Sequence, residues 1–387
     1  MTDTEHRKVL FAATYASVVG EYSLLVMPFI VGAMIDIYGI SERAAGRIVS
    51  VQMLGMALSA VGASIMMSRL NKLLTIYIMT AVVVLANIAC AVGSALPFLV
   101  AARFSTGLGE GALMAVAGSI AAATADPRKA FSIIGFAVAV AASVALVLTP
   151  FLVEWLGRPG TFWFLATFAG GLLLFTHWLK PLASKQLSLG DGPLSTDAGR
   201  ILAINPMLAL CSFGLFWAAA AGLWVYAERI GLHHGLTLEQ IGFYLGIGQL
   251  GGIPGPLCVG WMAKRWRLPP IFAIAILSNV FGGLLFVFVP NGWIYCLAAA
   301  LLSYWAMFLT PCFRTLMALL DRSGAVVAAS VAFFTVGYGA SPLLITFFLG
   351  GESGFIPVAV ICSGLYILSA TLVLKPARLI GRADVIV

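Results

Sequence analysis

Charge is scarce in this chain: Asp, Glu, Lys and Arg together make up 10% of its residues, while 61% are hydrophobic. Soluble domains carry roughly a quarter of their residues charged, so a globule that dissolves by itself is excluded and the chain is read as an integral membrane protein. The apolar-polar alternation of barrel strands is also missing, which leaves helices as the backbone's way of satisfying its N–H and C=O groups in lipid. Cysteine is sparse and unpaired. Cys90, Cys211, Cys258, Cys296, Cys312 and Cys362 all lie in apolar runs without a CxxC, and read as small buried hydrophobes, not as a disulfide or metal framework. Of the four histidines only His233 and His234 adjoin, a weak metal signal, so neither a metal nor a cofactor is expected. No intramembrane nucleophile-base pair or metal triad is visible, which argues against an enzyme. The net charge of +7 would suggest nucleic acid in a soluble protein, but here membrane topology accounts for the basic residues and no nucleic acid is expected.

What the chain has in abundance is long apolar runs. A spanning helix needs about 20 such residues, which leaves room for about twelve. Runs and breakers place them near 9–34, 44–67, 73–94, 97–123, 130–153, 160–179, 206–229, 239–263, 269–289, 292–317, 325–349 and 355–375. The first run follows MTDTEHRK, contains Glu21 and has no small-residue cleavage site, so it reads as a retained span. If the N-terminus is cytoplasmic, the inner side carries Arg7, Lys8, Arg69, Lys72, Arg128, Lys129, Lys180, Lys185, Arg200, Lys264, Arg265, Arg267, Arg322, Lys375, Arg378 and Arg382. The outer side carries only Arg43, Arg47, Arg158 and Arg229. That asymmetry obeys the positive-inside rule and puts both termini in the cytoplasm, with the chain in the inner (plasma) membrane.

The longest polar stretch, KPLASKQLSLGDGPLSTDAGR, separates six spans from six. It divides the chain into an N-terminal six-helix bundle (1–179), a cytoplasmic linker (180–205) and a C-terminal six-helix bundle (206–387). Across it the sequence repeats at an offset of 196, so that Gly39, Gly46, Gly55 and Arg69 meet Gly235, Gly242, Gly251 and Arg265. Gly39-Ile40-Ser41 and Gly235-Leu236-Thr237 read as the same turn, each offering a hydroxyl cap to the next helix. A parallel repeat of two six-span halves is the mark of a transporter with its substrate site near the bilayer midplane.

The fourth span, Pro97 to Thr124, carries Arg103 and Glu110 inside an otherwise uncharged run. Seven residues apart, they share one helical face about 10 Å apart along the axis. An ionisable group within a span costs about 2.5–3.5 kcal/mol on insertion scales, so it faces protein or a wet cavity, and function is the default reading. The alternative is that the two merely bridge helices.

These patterns resemble the major facilitator superfamily over essentially the whole chain, which implies twelve transmembrane helices in two pseudo-symmetric bundles, an all-α membrane fold. The family's loop signature between spans two and three is present in worn form, with Ser64, Ser68, Arg69, Asn71 and Lys72 in the first half and Gly260, Lys264, Arg265 and Arg267 in the second. Arg103-x-x-x-Gly107-x-Gly109-Glu110 resembles the fourth span of proton-coupled organic-anion symporters and of spinster-like lipid transporters, which pair it with an acid in span 1, the place of Glu21 here. The resemblance implies that spans 1, 4, 7 and 10 line the cavity. Glu21 and Glu110 would then gain and lose protons as it opens alternately.

The anion symporters follow the span-1 acid with Arg, whereas this chain has Glu21-Tyr22, so a small, strongly charged anion is disfavoured. The same offset sends Glu21 to Trp217, and aligning the inner-loop Asp126 with Asp321 sends Glu110 to Trp305. Trp217 and Trp224 share a face, and Tyr304, Trp305, Phe308 and Tyr338 are candidates for the same wall. Charge on one side and aromatic surface on the other suit an amphiphilic or aromatic ligand with one ionised group. Substrate-binding candidates are Arg103, Glu21, Tyr22, Trp217, Trp224, Tyr304, Trp305 and Tyr338; gating candidates are Arg69, Arg265, Arg314 and Glu228. Gly251, Gly255, Pro254 and Pro256 in span 8, and Gly337, Gly339 and Pro342 in span 11, read as flex points.

The reading is therefore a proton-coupled secondary transporter of a small amphiphilic organic molecule, a monoanion, working as a monomer by rocking of its halves. The alternatives are a lipid or multidrug exporter running on proton antiport, and a transporter-like receptor without flux.

Overall fold

The computed structural model describes residues 3–66, 70–93, 95–122, 124, 127–179, 202–263, 265–321, 325–349 and 354–380. It divides into two compact units, Met1–Asp191 and Gly192–Val387. Among the described residues the regular structure is helical. The N-terminal unit contains α1 (Asp3–Leu25), α2 (Met27–Tyr38), α3 (Glu42–Ile65), α4 (Lys72–Val92), α5 (Leu96–Ala122), α6 (Pro127–Leu156) and α7 (Gly160–Phe175), which ends in a 3₁₀ turn over Thr176–Leu179. The C-terminal unit contains α8 (Ile204–Val225), α9 (Ala227–His233), α10 (Leu238–Leu250), α11 (Pro254–Ala263), α12 (Leu268–Phe288), α13 (Gly292–Leu320), α14 (Ala325–Thr346) and α15 (Ile356–Ile380).

Each of the twelve apolar runs is helical, but three of them are broken. Span 1 bends by 55° between α1 and α2. Pro28 follows the break at Val26, and a proline in the second position of α2 cannot continue the helix before it. Span 7 breaks at Tyr226 with nearly the same backbone (φ −99, ψ 9) as Val26 (φ −107, ψ 19), although no proline stands there. Span 8 breaks between α10 and α11, where Gly251, Gly252 and Ile253 donate to carbonyls three residues back, the tight turns expected before Pro254 and Pro256. The flex point expected in span 11 takes no such form: α14 stays continuous through Gly337, Gly339 and Pro342.

Among the described residues, nine helices are long and apolar enough by themselves to cross a membrane, and the bent α1–α2 pair makes a tenth. Helix α5, which carries Arg103 and Glu110, is not among them. Several hydroxyls in the spans bond within their own helix, as where Thr106 donates to the Ala102 carbonyl (3.0 Å) and Thr149 to that of Ala145 (2.7 Å). Large apolar side chains such as Leu85, Phe136, Leu174 and Phe281 point outward, as a lipid-facing surface requires.

The internal repeat is visible at its turns. Gly39 (φ 61) and Gly235 (φ 79) both take the left-handed conformation that favours glycine. Two residues later the Ser41 hydroxyl accepts from the Ala44 N–H (3.2 Å) and the Thr237 hydroxyl from the Gln240 N–H (3.2 Å), the latter completing a capping box. The two units then pack differently. The N-terminal core joins α1, α4, α5 and α7 through small residues, among them Ala12, Ala13, Ala16, Ala117 and Ala169. The C-terminal core is aromatic, with Phe313 against Phe213 (5.3 Å between ring centroids) and Phe272 (4.7 Å), and Phe216 against Tyr366 (5.5 Å).

Candidate functional site

Helix α5 is held at very short range by its neighbours, and glycine makes this possible. A Cβ on Gly107 would lie 2.0 Å from the Gln52 carbonyl oxygen of α3, and one on Gly111 2.2 Å from that of Met56. On the other sides, Gly20 of α1 meets the Glu110 carbonyl at 2.9 Å and Gly109 meets the Met79 carbonyl of α4 at 2.9 Å, measured from the same ideal Cβ. Small residues at membrane helix interfaces let backbones approach this closely. The consequence is that short side chains on three different helices reach the charges of α5.

Arg103 and Glu110 are both turned inward, and with Ser23, Gln52 and Asn87 they form a cluster in which every side chain is between 0 and 1% exposed. Arg103 donates from Nε to Gln52 Oε1 (3.1 Å), from Nη2 to Gln52 Oε1 (2.6 Å) and Ser23 Oγ (3.2 Å), and from Nη1 to Asn87 Oδ1 (3.1 Å). The Phe162 ring of α7 lies 5.8 Å from the guanidinium carbon. Asn87 is steadied in turn by donating to the Val83 carbonyl (2.9 Å). Glu110 accepts at Oε1 from the Ser23 N–H (3.3 Å) and hydroxyl, and at Oε2 from Gln52 Nε2 (3.1 Å). The link between the two charges therefore runs through Ser23 and Gln52. A buried charge without compensation costs several kcal/mol, and this network compensates both.

Of the span-1 residues singled out from sequence, Glu21 is half-buried; a neighbour not singled out, Ser23, donates its hydroxyl and N–H to Glu110. Tyr22 turns the other way, stacked on Phe168 of α7 with centroids 4.1 Å apart. The missed partners had a sequence signal: Gln52 and Asn87 are amides in the middle of apolar spans, where polar groups form helix-helix hydrogen bonds.

In the C-terminal unit the aromatic candidates fall into two groups. Trp217 of α8 meets Phe334 of α14 edge-on (4.9 Å), and Phe334 meets Tyr338 (5.9 Å). On α13, Trp305 packs against Tyr304 (4.8 Å) and Phe308 (5.3 Å), and its Nε1 donates to Ser278 Oγ of α12 (2.9 Å). The indole N–H of Trp217 is buried without a hydrogen-bond partner among the described residues. Trp224 is half-buried on α8.

Of the gating candidates, Glu228 is fully buried at the start of α9, with Arg229 Nη2 3.9 Å from its Oε1. Arg314 lies exposed on α13 and Arg265 exposed before α12, while Arg69 lies outside the described residues. His233 and His234 border a cavity at the end of α9 with Phe288, Pro290, Gly354 and Phe355. His234 Nε2 is 3.1 Å from the Phe286 carbonyl oxygen, and His233 packs on the Phe355 ring. Among the described residues no three His, Cys, Asp or Glu side chains group as metal ligands.

Comparison with known proteins now decides the family. The model of the major facilitator superfamily matches residues 10–342. The chain belongs to that superfamily. It is accordingly a multi-pass membrane transporter and not an enzyme, with the all-α fold of its class. A gallate transporter of Pseudomonas putida is 26% identical over 297 residues, a match spanning 66% of this chain and 65% of that protein. Among solved structures, a nucleoside transporter aligns with a TM-score of 0.76 at 12% identity, over 97% of this chain and 99% of the other. A D-xylose–proton symporter aligns at 0.74 and 16%, over 95% and 97%. A bacterial homologue of the human lysosomal transporter Spinster aligns at 0.70 and 14%, over 98% and 96%. These three likenesses concern the fold.

Proposed function

We propose that this transporter moves an aromatic monoanion of the hydroxybenzoate type together with a proton, by alternating access and as a monomer, with both termini and the 180–205 linker in the cytoplasm of a cell with an inner membrane. The observation that carries the reading is the closed network around Glu110 and Arg103. While Glu110 is ionised, its charge balances the guanidinium through Ser23 and Gln52. Once Glu110 takes a proton, Arg103 is left as a buried cation whose balance falls to an anion. A substrate with one carboxylate and a proton then travel as a pair without net charge. The gallate transporter among the relatives fits a ligand with one carboxylate and an aromatic ring, and the half-buried aromatics Trp217 and Trp305 suit such a ring. The unpaired indole N–H of Trp217 is a donor suited to an oxygen of the ligand.

Purified protein in liposomes, given radiolabelled gallate and an inward pH gradient, is expected to accumulate it and to lose accumulation when a protonophore collapses the gradient. Accumulation indifferent to the gradient would refute proton coupling, and failure to move gallate, benzoate or dihydroxybenzoate would refute the substrate class.

A further inference from the structure

Gln52 touches both charges through opposite ends of one amide, and that geometry admits one orientation. Its Oε1 takes two donors from Arg103 (3.1 and 2.6 Å), so its Nε2 must face Glu110 Oε2 (3.1 Å). Turning the amide over would set an NH₂ against the guanidinium and a carbonyl against the carboxylate. Glu110 Oε2 therefore faces a hydrogen-bond donor whether or not the acid is protonated. The other oxygen, Oε1, takes the Ser23 N–H (3.3 Å), a fixed donor like the amide, but it also faces the Ser23 hydroxyl, which donates to it while accepting from Arg103 Nη2 (3.2 Å) and is the one neighbour of the carboxylate able to accept a proton from it. A hydroxyl can reverse from donor to acceptor by rotating about one bond, and an amide cannot.

We propose that Gln52 is a positioning residue that makes Glu110 a one-sided proton acceptor. The amide occupies Oε2, the incoming proton forms its O–H bond at Oε1, and the Ser23 hydroxyl turns to accept it. The proton comes from water on whichever side is open. The inference rests on Glu110 being the proton carrier. Around it, Arg103 lies on α5 itself; α1 brings Ser23, with Glu21 half-buried two residues before it and Tyr22 turned towards α7. Helix α4 brings Asn87 and, a turn on, the Cys90 thiol, while α3 and α7 bring the uncharged Gln52 and Phe162.

The test needs no substrate. Infrared difference spectra of purified protein in lipid, recorded against pH, follow the C=O stretch of a protonated carboxyl, which Glu110→Gln assigns by abolishing it. Gln52→Leu and Gln52→Met each remove the donor at Oε2 without adding a charge. In both, the pH at which the Glu110 band is half-developed should rise by about one unit or more, a tenfold gain in proton affinity, since a bond to the charged form is lost. Ser23→Ala should move the band to the higher frequency of an acid lacking an acceptor, and Ser23→Thr should restore it. An unchanged titration in the folded Gln52 variants, an unmoved band in Ser23→Ala, or no band assignable to Glu110 overturns the proposal. Gallate uptake is measured separately, so a titrating band without uptake sinks only the substrate reading.

Discussion

Gly107→Ala puts the construction of the site to a direct test. A Cβ at this position would stand 2.0 Å from the Gln52 carbonyl oxygen, whereas real Cβ atoms essentially never come closer than 3.0 Å, so α3 and α5 must separate by about 1 Å. The oxygen belongs to backbone and cannot swing aside. Gln52 moves with it, and its bonds of 3.1, 2.6 and 3.1 Å to Arg103 and Glu110 stretch beyond hydrogen-bond range. At about 0.6–2 kcal/mol for each interhelical hydrogen bond, the loss is about 2–6 kcal/mol before repacking strain is added. Gly118→Ala is the matching control on the same helix, because a Cβ there meets nothing within 4 Å. It should stabilise by about 0.5–1 kcal/mol, the ordinary gain of alanine over glycine in a helix. Thermal unfolding in detergent read by intrinsic fluorescence, with gallate uptake on the same preparations, gives both results. A Gly107→Ala protein that melts and transports like the wild type would refute the account of α3–α5 packing as the scaffold of the site.

Glu110→Gln keeps shape and hydrogen bonding but fixes the neutral state, so pH-driven accumulation of gallate should fail while gallate-gallate exchange survives; accumulation by the variant would remove Glu110 from the coupling role. Arg103→Lys keeps the charge but loses the planar fork that binds Gln52, Asn87 and Ser23 and suits a carboxylate, so the melting temperature should fall and Kd for gallate should weaken about tenfold or more; an unchanged Kd would remove the substrate carboxylate as the partner of Arg103. Trp217→Phe removes a buried donor without a partner, so stability should hold while gallate binding weakens about threefold to tenfold, the worth of one hydrogen bond; unchanged binding would take Trp217 out of the site. A cysteine placed at position 234 should be labelled by an impermeant reagent in intact cells, and labelling only after permeabilisation would invert the assigned orientation.

The helices and the location of the charges were legible in the sequence because the bilayer acts on one dimension of it. A run of about 20 apolar residues must be helical to satisfy its own backbone, and any charge inside it stands out by its cost. Spacing alone put Arg103 and Glu110 on one face, and their shared burial in α5 follows from it. The turn at Gly39-Ile40-Ser41 and its copy at Gly235-Leu236-Thr237 were equally open to reading, because a left-handed glycine followed by a hydroxyl cap is a local arrangement.

What tertiary structure alone decided is which groups meet the charges. Glu21 was the chemically conspicuous candidate in span 1, and Ser23, two residues further on, donates to Glu110 where Gly20 lets α1 lie close against the α5 backbone at Glu110 and Met114. Gln52 and Asn87 add little polarity to their apolar runs, and their partners are 51 and 16 residues away, so no local pattern pairs them with Arg103. The break at Tyr226 likewise lacks the proline that accounts for its counterpart at Val26. Hydropathy and periodicity record how each helix meets the bilayer; how one helix turns and how closely it approaches its neighbours depends on side-chain packing between segments far apart in the chain, and that packing brought Ser23, Gln52 and Asn87 to Arg103.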